Sequence, residues 1–266
     1  MISDNYYSPN AEQALAGKRG IVTGIGSGIG RAIALQVAAM GGTVAGIDRD
    51  QEAAIATTSA VAGLSGTITA WQCDVSSEAQ IRDVFASLIS AGNADFLVNA
   101  AGIEDSGDEI SDMDAEHWDH LMSINVRGAF LTMREVLPSM RANGGGSIVN
   151  IGSAGSLLGL RGLSSYSASK HALVGLSKSA VAESAIHGIR VNVVCPGPID
   201  TPLQDRAESK SDDPAEFRRH QEAAIPQGRY GRPDEVASLV AFLIGDTAEY
   251  INGAVIPIDG GLTATL

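Results

Sequence analysis

Short runs of β-forming residues alternate along the chain with longer segments whose apolar residues recur at helical spacing. The short runs lie at 21–22, 43–47, 67–73, 96–98, 147–151, 190–194 and 254–258, and the main helical segments at 31–40, 77–90, 115–141, 166–187 and 233–244. Strand, helix and strand in succession require crossover connections, which produce a parallel sheet. The 266 residues are therefore predicted to form one α/β domain, a doubly wound, mostly parallel seven-stranded sheet with helices on both faces.

Two segments stand outside this alternation. Residues 1–17 are polar and are predicted to be an N-terminal extension without a secretory signal, so that residues 18–266 form the folded domain. Residues 200–232 follow the sixth strand run and carry both signs of charge. Because long excursions in compact domains commonly cover a binding site, residues 201–227 are predicted to be a substrate lid.

The chain is acidic, with a formal net charge of −13 and a sequence pI of ≈ 4.7. Nucleic acids and anionic membrane surfaces attract basic patches, so neither is an expected partner, and a small molecule is expected instead. Cys73 and Cys195 are the only cysteines, too few for a disulfide framework. We expect a cytoplasmic protein with reduced thiols.

Four glycines occur in TGIGSGIG, residues 23–30, directly after the first strand run. A Gly-rich turn before a helix lets backbone amides approach a pyrophosphate, whose charge the helix N-terminus also favours. Asp48 ends the second strand run 18 residues after Gly30, where a carboxylate can accept hydrogen bonds from the ribose of a dinucleotide. This carboxylate repels a 2′-phosphate, whereas the neighbouring Arg49 could bind one. The pattern predicts a dinucleotide site and favours NAD over NADP.

Tyr166 and Lys170 are four residues apart at the start of a predicted helix, so their side chains share one face. A nearby ammonium lowers the pKa of a phenol from its ordinary value of about 10 and makes it a usable proton shuttle. Ser153 follows the fifth strand run, at the edge where open parallel sheets bind ligands, and can donate to a substrate oxygen. Taken singly, each residue also has a structural explanation: packing for Tyr166, a snorkelling side chain for Lys170 and a turn for Ser153.

Together these motifs resemble those of the short-chain dehydrogenase/reductase family over residues 18–262. The matching segments are TGxxxGxG at 23–30, the pair Asp74–Val75, NAAG at 99–102, N-x3-P-G-x3-T at 192–201, and a tetrad of Asn125, Ser153, Tyr166 and Lys170. The resemblance implies a Rossmann-like, NAD-binding catalytic domain. The cofactor contacts that it implies are Thr23, Gly24, Gly26, Ser27, Gly28, Ile29, Gly30, Asp48, Arg49, Asp74, Val75, Asn99, Ala100, Ala101, Gly102, Tyr166, Lys170, Pro196, Gly197, Ile199 and Thr201.

The resemblance also implies a role for each member of the tetrad. Tyr166 would exchange the proton with the substrate oxygen, which Ser153 would orient. Lys170 would bind the nicotinamide ribose and lower the pKa of the tyrosine, and Asn125 would hold a water that leads protons to Lys170. Subunits of this family commonly form a homotetramer, in which the helices at 115–141 and 166–187 would pair across two-fold axes.

The predicted function is that of an NAD(H)-dependent oxidoreductase interconverting a secondary alcohol, with cyclic and aryl alcohols as candidates, and its ketone. An NADPH-dependent reductase of 3-oxoacyl groups and a non-catalytic dinucleotide-binding regulator are the alternatives. Candidates for the substrate pocket are Ile103, Ser153, Leu160, Pro198 and Leu203, which lie beside the catalytic motifs.

Two features suggest other sites. The acidic segment 104–119, with its His117 and His120, invites a metal-site interpretation, but carboxylates that open a helix usually cap it and no third ligand accompanies the histidines. No metal is therefore expected. Arg161, where the family often has proline, either binds a substrate carboxylate or, as the favoured alternative, lies in an exposed loop at a subunit contact.

Overall fold

The computed structural model describes residues 13–105 and 107–265. Within these residues, seven parallel strands form one sheet: β1 (Arg19–Thr23), β2 (Thr43–Asp48), β3 (Thr67–Gln72), β4 (Phe96–Asn99), β5 (Gly146–Ile151), β6 (Ile189–Pro196) and β7 (Val255–Ile258). Their spatial order is β3-β2-β1-β4-β5-β6-β7, so the direction of winding reverses between β1 and β4. This is a doubly wound, Rossmann-like α/β fold, and the predicted fold class is confirmed.

Helices cover both faces of the sheet. Their bounds are α1 (Gly28–Ala39), α2 (Gln51–Ser59), α3 (Glu78–Ser90), α4 (Ala115–Met122), α5 (Ala129–Ala142), α6 (Ser164–Ser184), α7 (Pro202–Glu208), α8 (Pro214–Ala224) and α9 (Pro233–Ile244). The apolar core on one face packs α1 and α9 against the sheet. The core on the other face contains residues of α3, α5 and α6. Among the described residues, no helix has both the length and the apolar character needed to span a bilayer.

The single helix predicted over 115–141 is wrong in its detail. The segment folds as α4 and α5, and a π-helical segment, Ser123–Gly128, separates them. The backbone stays helical at both ends of this segment, so the helical spacing in α4 and in α5 predicts a helix without revealing the π turns between them.

The predicted lid also contains secondary structure that the sequence analysis missed. Helices α7 and α8 begin with Pro202 and Pro214, directly after Thr201 and Asp213. The Thr201 side chain accepts a hydrogen bond from the Gln204 amide, and Asp213 caps α8 in the same way. Proline at the first helical position after a capping residue is a recognised start signal. We call residues 201–227 the covering segment.

Residues 1–12 of the predicted N-terminal extension lie outside the described residues. Leu15, which the prediction also placed in that extension, is only 1% exposed and packs in the core beside α1 and α9. Its backbone amide donates to the Met40 carbonyl over 3.0 Å. Leu15 is therefore part of the packed domain.

Candidate active site

One cavity of ≈ 920 Å³ runs along the carboxyl ends of the strands. Every predicted substrate-pocket residue lines it, as do most of the predicted cofactor and catalytic residues. The predicted residues that do not line it are Thr23, Asn99 and Asn125. Parallel strands bring residues far apart in sequence to one edge, which explains why motifs from both halves of the chain meet here.

In the Gly-rich loop between β1 and α1, Gly24 and Gly30 cannot be replaced without collision. Gly24 has φ 75, and a Cβ there would lie 2.9 Å from the Ala101 backbone. A Cβ on Gly30 would lie 2.1 Å from the Gly24 carbonyl oxygen. The loop thus packs its own backbone tightly at the start of α1 and leaves backbone rather than side chains facing the cavity. These residues fit a dinucleotide, whose pyrophosphate is favoured at a helix N-terminus.

Asp48 at the end of β2 is tied to this loop. Its Oδ2 accepts a hydrogen bond from the Gly26 amide over 2.8 Å, and its Oδ1 accepts one from the Asp50 amide over 3.0 Å. Each carboxylate oxygen has further acceptor capacity, so ribose hydroxyls can still bind here. Arg49, Asp74 and Val75 line the same end of the cavity, which is therefore the adenosine end if a dinucleotide binds.

Thr23 and Asn99 lie behind the cavity wall and make hydrogen bonds at the ends of β1 and β4. The Thr23 hydroxyl accepts hydrogen bonds from the amides of Ala100 and Ala101, each over 3.1 Å. The Asn99 side chain is buried, donating to Asn150 and accepting from Thr132. The structure therefore supports a positioning role for both residues, since they brace the strand ends from outside the cavity wall.

Ser153, Tyr166 and Lys170 converge at the other end of the cavity. Ser153 caps a 3₁₀ turn, Ala154–Ser156, and its hydroxyl is near enough to the Tyr166 phenol to lower the pKa of that phenol. The Lys170 ammonium lies 5.4 Å from the centre of the Tyr166 ring and donates to the Ile151 carbonyl over 2.9 Å. A hydroxyl donor, a phenol and a buried cation thus share one small volume, an arrangement that can hold an oxygen and move a proton.

The pKa values of Tyr166 and Lys170 differ from those that the sequence predicts. Burial raises the pKa of Tyr166 above its ordinary value, while the nearby Ser153 hydroxyl acts in the opposite direction. Burial also lowers the pKa of Lys170 to about 8. The prediction considered only the charge of the ammonium and left out desolvation, which opposes ionisation of the phenol and protonation of the amine alike.

Asn125 lies in the π-helical segment, behind the other three residues. Its carboxamide oxygen accepts from the Ile103 amide over 2.9 Å, and its Nδ2 donates to the Ile103 carbonyl over 3.0 Å. A separate cavity of ≈ 10 Å³ is lined by Asn125, Lys170 and Thr23 among others. That volume is close to what one water needs. The predicted water-holding role stays a prediction.

The segment after β6 and the covering segment form the remaining wall. Pro196, Gly197, Pro198, Ile199 and Thr201 line the cavity, and a Cβ on Gly28 would lie 3.3 Å from the Thr201 Cγ2. The glycine loop and the end of β6 thus face each other closely. Further lining residues come from the covering segment: Pro202, Leu203, Gln204, Arg206, Ala207 and Gln221.

Two carboxylates in the loop after β4 were missed as site residues. Helix α6 has no side-chain cap at its own N-terminus. Asp105 supplies one from a distance, because its Oδ2 accepts from the Tyr166 amide over 2.9 Å and from the Ser165 hydroxyl over 2.8 Å. Its neighbour Glu104 lines the cavity. The sequence analysis grouped both with the acidic segment, in which Asp114 does cap α4 as expected.

The other candidates from that region have ordinary surroundings. His117 Nε2 lies 3.4 Å from the buried Asp105 carboxylate. Among residues 13–105 and 107–265, no group of three or more His, Cys, Asp or Glu side chains is arranged to hold a metal ion. Arg161 lines the cavity mouth with a side chain that is 90% exposed, and it pairs with Glu109 over 2.7 Å.

The chain is similar to known proteins over nearly its whole length. Residues 24–263 match the family model described as enoyl-(acyl carrier protein) reductase. Levodione reductase of Leifsonia aquatica is 39% identical over 250 residues, which cover 92% of this chain and 93% of that protein. A 3-oxoacyl-(acyl-carrier-protein) reductase of Thermotoga maritima is 37% identical (93% and 98% covered), and cyclohexanol dehydrogenase of Acinetobacter sp. strain SE19 is 34% identical (93% and 95% covered).

Solved structures agree with the fold. The crystal structure of a levodione reductase matches with a TM-score of 0.90 at 37% identity, covering 95% of this chain and 100% of the other. A putative NAD(P)-dependent gluconate 5-dehydrogenase from Beutenbergia cavernae, crystallised with NADP at low occupancy, matches with a TM-score of 0.87 at 33% identity, covering 95% and 99%.

Proposed function

The chain belongs to the short-chain dehydrogenase/reductase family, and we propose that within it the chain is an NAD(H)-dependent enzyme interconverting a secondary alcohol, cyclic or aryl, and its ketone. The observation that carries this proposal is one cavity with Ser153, Tyr166 and Lys170 at one end and the Gly-rich loop with Asp48 at the other. The names of levodione reductase and cyclohexanol dehydrogenase support a carbonyl or carbinol substrate, the latter a cyclic one.

In the proposed reaction the chain's own groups handle the substrate oxygen and its proton. Ser153 donates a hydrogen bond to that oxygen, and Tyr166 takes the carbinol proton during oxidation and returns it during reduction. The Lys170 cation stabilises the phenolate form of Tyr166, which is present before the phenol oxygen takes the carbinol proton and is formed again when the phenol returns that proton. Bound NAD would supply the carbon that accepts the hydride from the carbinol carbon.

The choice of NAD over NADP rests on Asp48, whose carboxylate lies where a 2′-phosphate would add a second negative charge. Against it stand Arg49 on the same wall and the NADP bound to the Beutenbergia cavernae protein. We give more weight to Asp48, because its bond to the Gly26 amide fixes the carboxylate at the Gly-rich loop.

Asp48→Asn should raise the ratio of kcat/KM for NADP to kcat/KM for NAD. The amide keeps an oxygen that can accept from Gly26 but removes the negative charge. Since like charges in contact cost several kcal/mol, we expect the ratio to rise by at least about 10-fold. Initial rates with both cofactors at one saturating alcohol concentration give the ratio.

Asp50→Asn is the matched control for that measurement. Asp50 also lines the cavity, but its carboxylate caps α2 at the Ala53 amide over 3.0 Å. It should leave the cofactor ratio unchanged. An unchanged ratio in Asp48→Asn would contradict the assignment of NAD.

A second function is favoured by one observation, the 37% identity to the 3-oxoacyl-(acyl-carrier-protein) reductase. One experiment separates the two. We expect NAD to be reduced by a panel of cyclic, aryl and polyol secondary alcohols, and we expect little NADPH oxidation by a 3-oxoacyl thioester. The reverse pattern would establish the second function, and turnover of neither panel would reject both.

We further propose a cytoplasmic homotetramer. Exposed apolar side chains on the helices predicted to pair, Trp118 in α4, Phe130 in α5 and Ile186 just beyond α6, support a subunit contact there. The two thiols are unpaired and buried, as suits a reducing compartment. Light scattering on the purified protein should give four times the chain mass of 27.4 kDa, and a stable monomer at micromolar concentration would refute the tetramer.

A further inference from the structure

Glu104 is held in a fixed position beside the catalytic residues. The residue before it, Ile103, makes two hydrogen bonds with the Asn125 side chain, and the residue after it, Asp105, caps the catalytic helix at the Tyr166 amide. Glu104 therefore lies between two anchors that both belong to the catalytic machinery. Its side chain is 17% exposed and lines the cavity.

Only one of the two oxygens of the Glu104 carboxylate has a partner among the described residues. Its Oε1 lies 3.1 Å from the Lys210 ammonium, which extends from the covering segment and also donates to the Asp105 carbonyl over 2.8 Å. Its Oε2 is shielded from solvent and has no hydrogen-bond partner among the residues that the structure describes. A buried carboxylate oxygen without a partner is unfavourable. The negative charge of Glu104 also raises the pKa of Tyr166, which opposes formation of the phenolate.

We propose that Glu104 accepts a hydrogen bond from a second hydroxyl of the substrate, close to the carbinol that Tyr166 deprotonates. The substrate class is then a diol, or in the reverse direction a hydroxyketone. This inference rests on the proposed function. The terminal torsion of a glutamate is soft, so the carboxylate can adjust its orientation to a donor in the cavity.

The charges around the cavity select a neutral donor. Lys170, Arg161 and Arg206 line the same space, and Lys210 already pairs with Glu104. A cationic group at Glu104 would have to compete with Lys210, and an anionic group at the same position would be repelled by the carboxylate. A hydroxyl can donate to the carboxylate without adding charge. The apolar side chains of Ile103, Leu160 and Leu203 accommodate the carbon skeleton.

The test compares paired substrates that differ by one hydroxyl. The pairs are cyclohexane-1,2-diol with cyclohexanol, 2,3-butanediol with 2-butanol, and 1-phenyl-1,2-ethanediol with 1-phenylethanol, each assayed by NAD reduction. The wild type should prefer the diol of at least one pair. Glu104→Ala should lower kcat/KM for that diol by about 10- to 100-fold, the range of a hydrogen bond to a charged group. It should change kcat/KM for the matched mono-alcohol by less than about 3-fold.

Two further variants separate recognition from structure. Lys210→Met removes the partner of Oε1 and should leave the diol preference in place, whereas a purely structural pair would make it copy Glu104→Ala. Glu109→Ala, which removes an exposed carboxylate of the same loop, should change neither substrate. If Glu104→Ala unfolds, Glu104→Gln keeps the side-chain shape and should still lower the diol preference.

The outcomes distinguish this inference from the proposed function. If Glu104→Ala lowers kcat/KM equally for both members of each pair, or if the wild type does not prefer any diol, the role of Glu104 is overturned. The dehydrogenase assignment is unaffected by either result. No oxidation of any of the six alcohols, together with active 3-oxoacyl reduction, overturns the proposed function and this inference with it. The absence of both alcohol oxidation and 3-oxoacyl reduction also overturns both.

Discussion

Tyr166→Phe should lose kcat by 10²- to 10⁴-fold, the usual contribution of general acid–base catalysis, which corresponds to about 3–5 kcal/mol in the barrier. The substitution removes the hydroxyl that lies near Ser153 and keeps the ring. Helix α6 should keep its start, because Asp105 binds the backbone amide of residue 166 rather than the phenol. Steady-state turnover at saturating cofactor and alcohol measures the loss, and cofactor binding should be nearly unchanged.

Tyr230→Phe is the matched control. Tyr230 is 2% exposed, and its hydroxyl accepts from Gln204 of the covering segment over 3.3 Å. The variant loses the same atom from a buried ring outside the tetrad, so kcat should fall by less than about 3-fold. A Tyr166→Phe enzyme that kept more than about a tenth of wild-type kcat would show that another group moves the proton, since that loss amounts to only about 1.4 kcal/mol.

The fold was predictable because its signals are local. Buried parallel strands such as β4 and β6 appear in the sequence as short apolar runs, and the Gly-rich loop marks where β1 passes into α1. The placement of Asp48 at a strand end followed from the same pattern. These features depend on neighbours in the chain, so the sequence alone predicts them.

The missed features depend on distant partners. Nothing in the acidic segment distinguishes Asp105 and Glu104 from the carboxylates that stay at the surface. Asp105 binds the uncapped start of α6, some 60 residues later, and Glu104 pairs with Lys210 of the covering segment. The pKa of Tyr166 was misjudged for the same reason. The ammonium four residues away is visible in the sequence, whereas the burial that dominates the shift is a property of the folded cavity.

Gly30→Ala should weaken NAD binding more than it changes turnover. Its Cβ would lie 2.1 Å from the Gly24 carbonyl oxygen and 2.7 Å from the Gly24 carbonyl carbon, so the Gly-rich loop must shift. Overpacking of this kind typically costs about 1–3 kcal/mol. If the bound state carries that cost, the dissociation constant of NAD rises about 5- to 150-fold. Fluorescence titration with NADH measures it, while kcat at saturating cofactor should stay within a few-fold of the wild type.

The same substitution at Gly175 separates loop distortion from a general effect of added volume. Gly175 lies in α6, and a Cβ there would meet no heavy atom of the described residues within 4 Å other than those of its chain neighbours and of the adjacent helix backbone. Gly175→Ala should leave the dissociation constant unchanged, and the higher helix propensity of alanine should keep the protein at least as stable. Wild-type affinity in Gly30→Ala, with a lowered melting temperature, would mean that the loop carries its strain equally with and without cofactor. The close approach of Gly30 to Gly24 would then serve the packing of α1 against β1. Other residues of the cavity wall would have to bind the pyrophosphate.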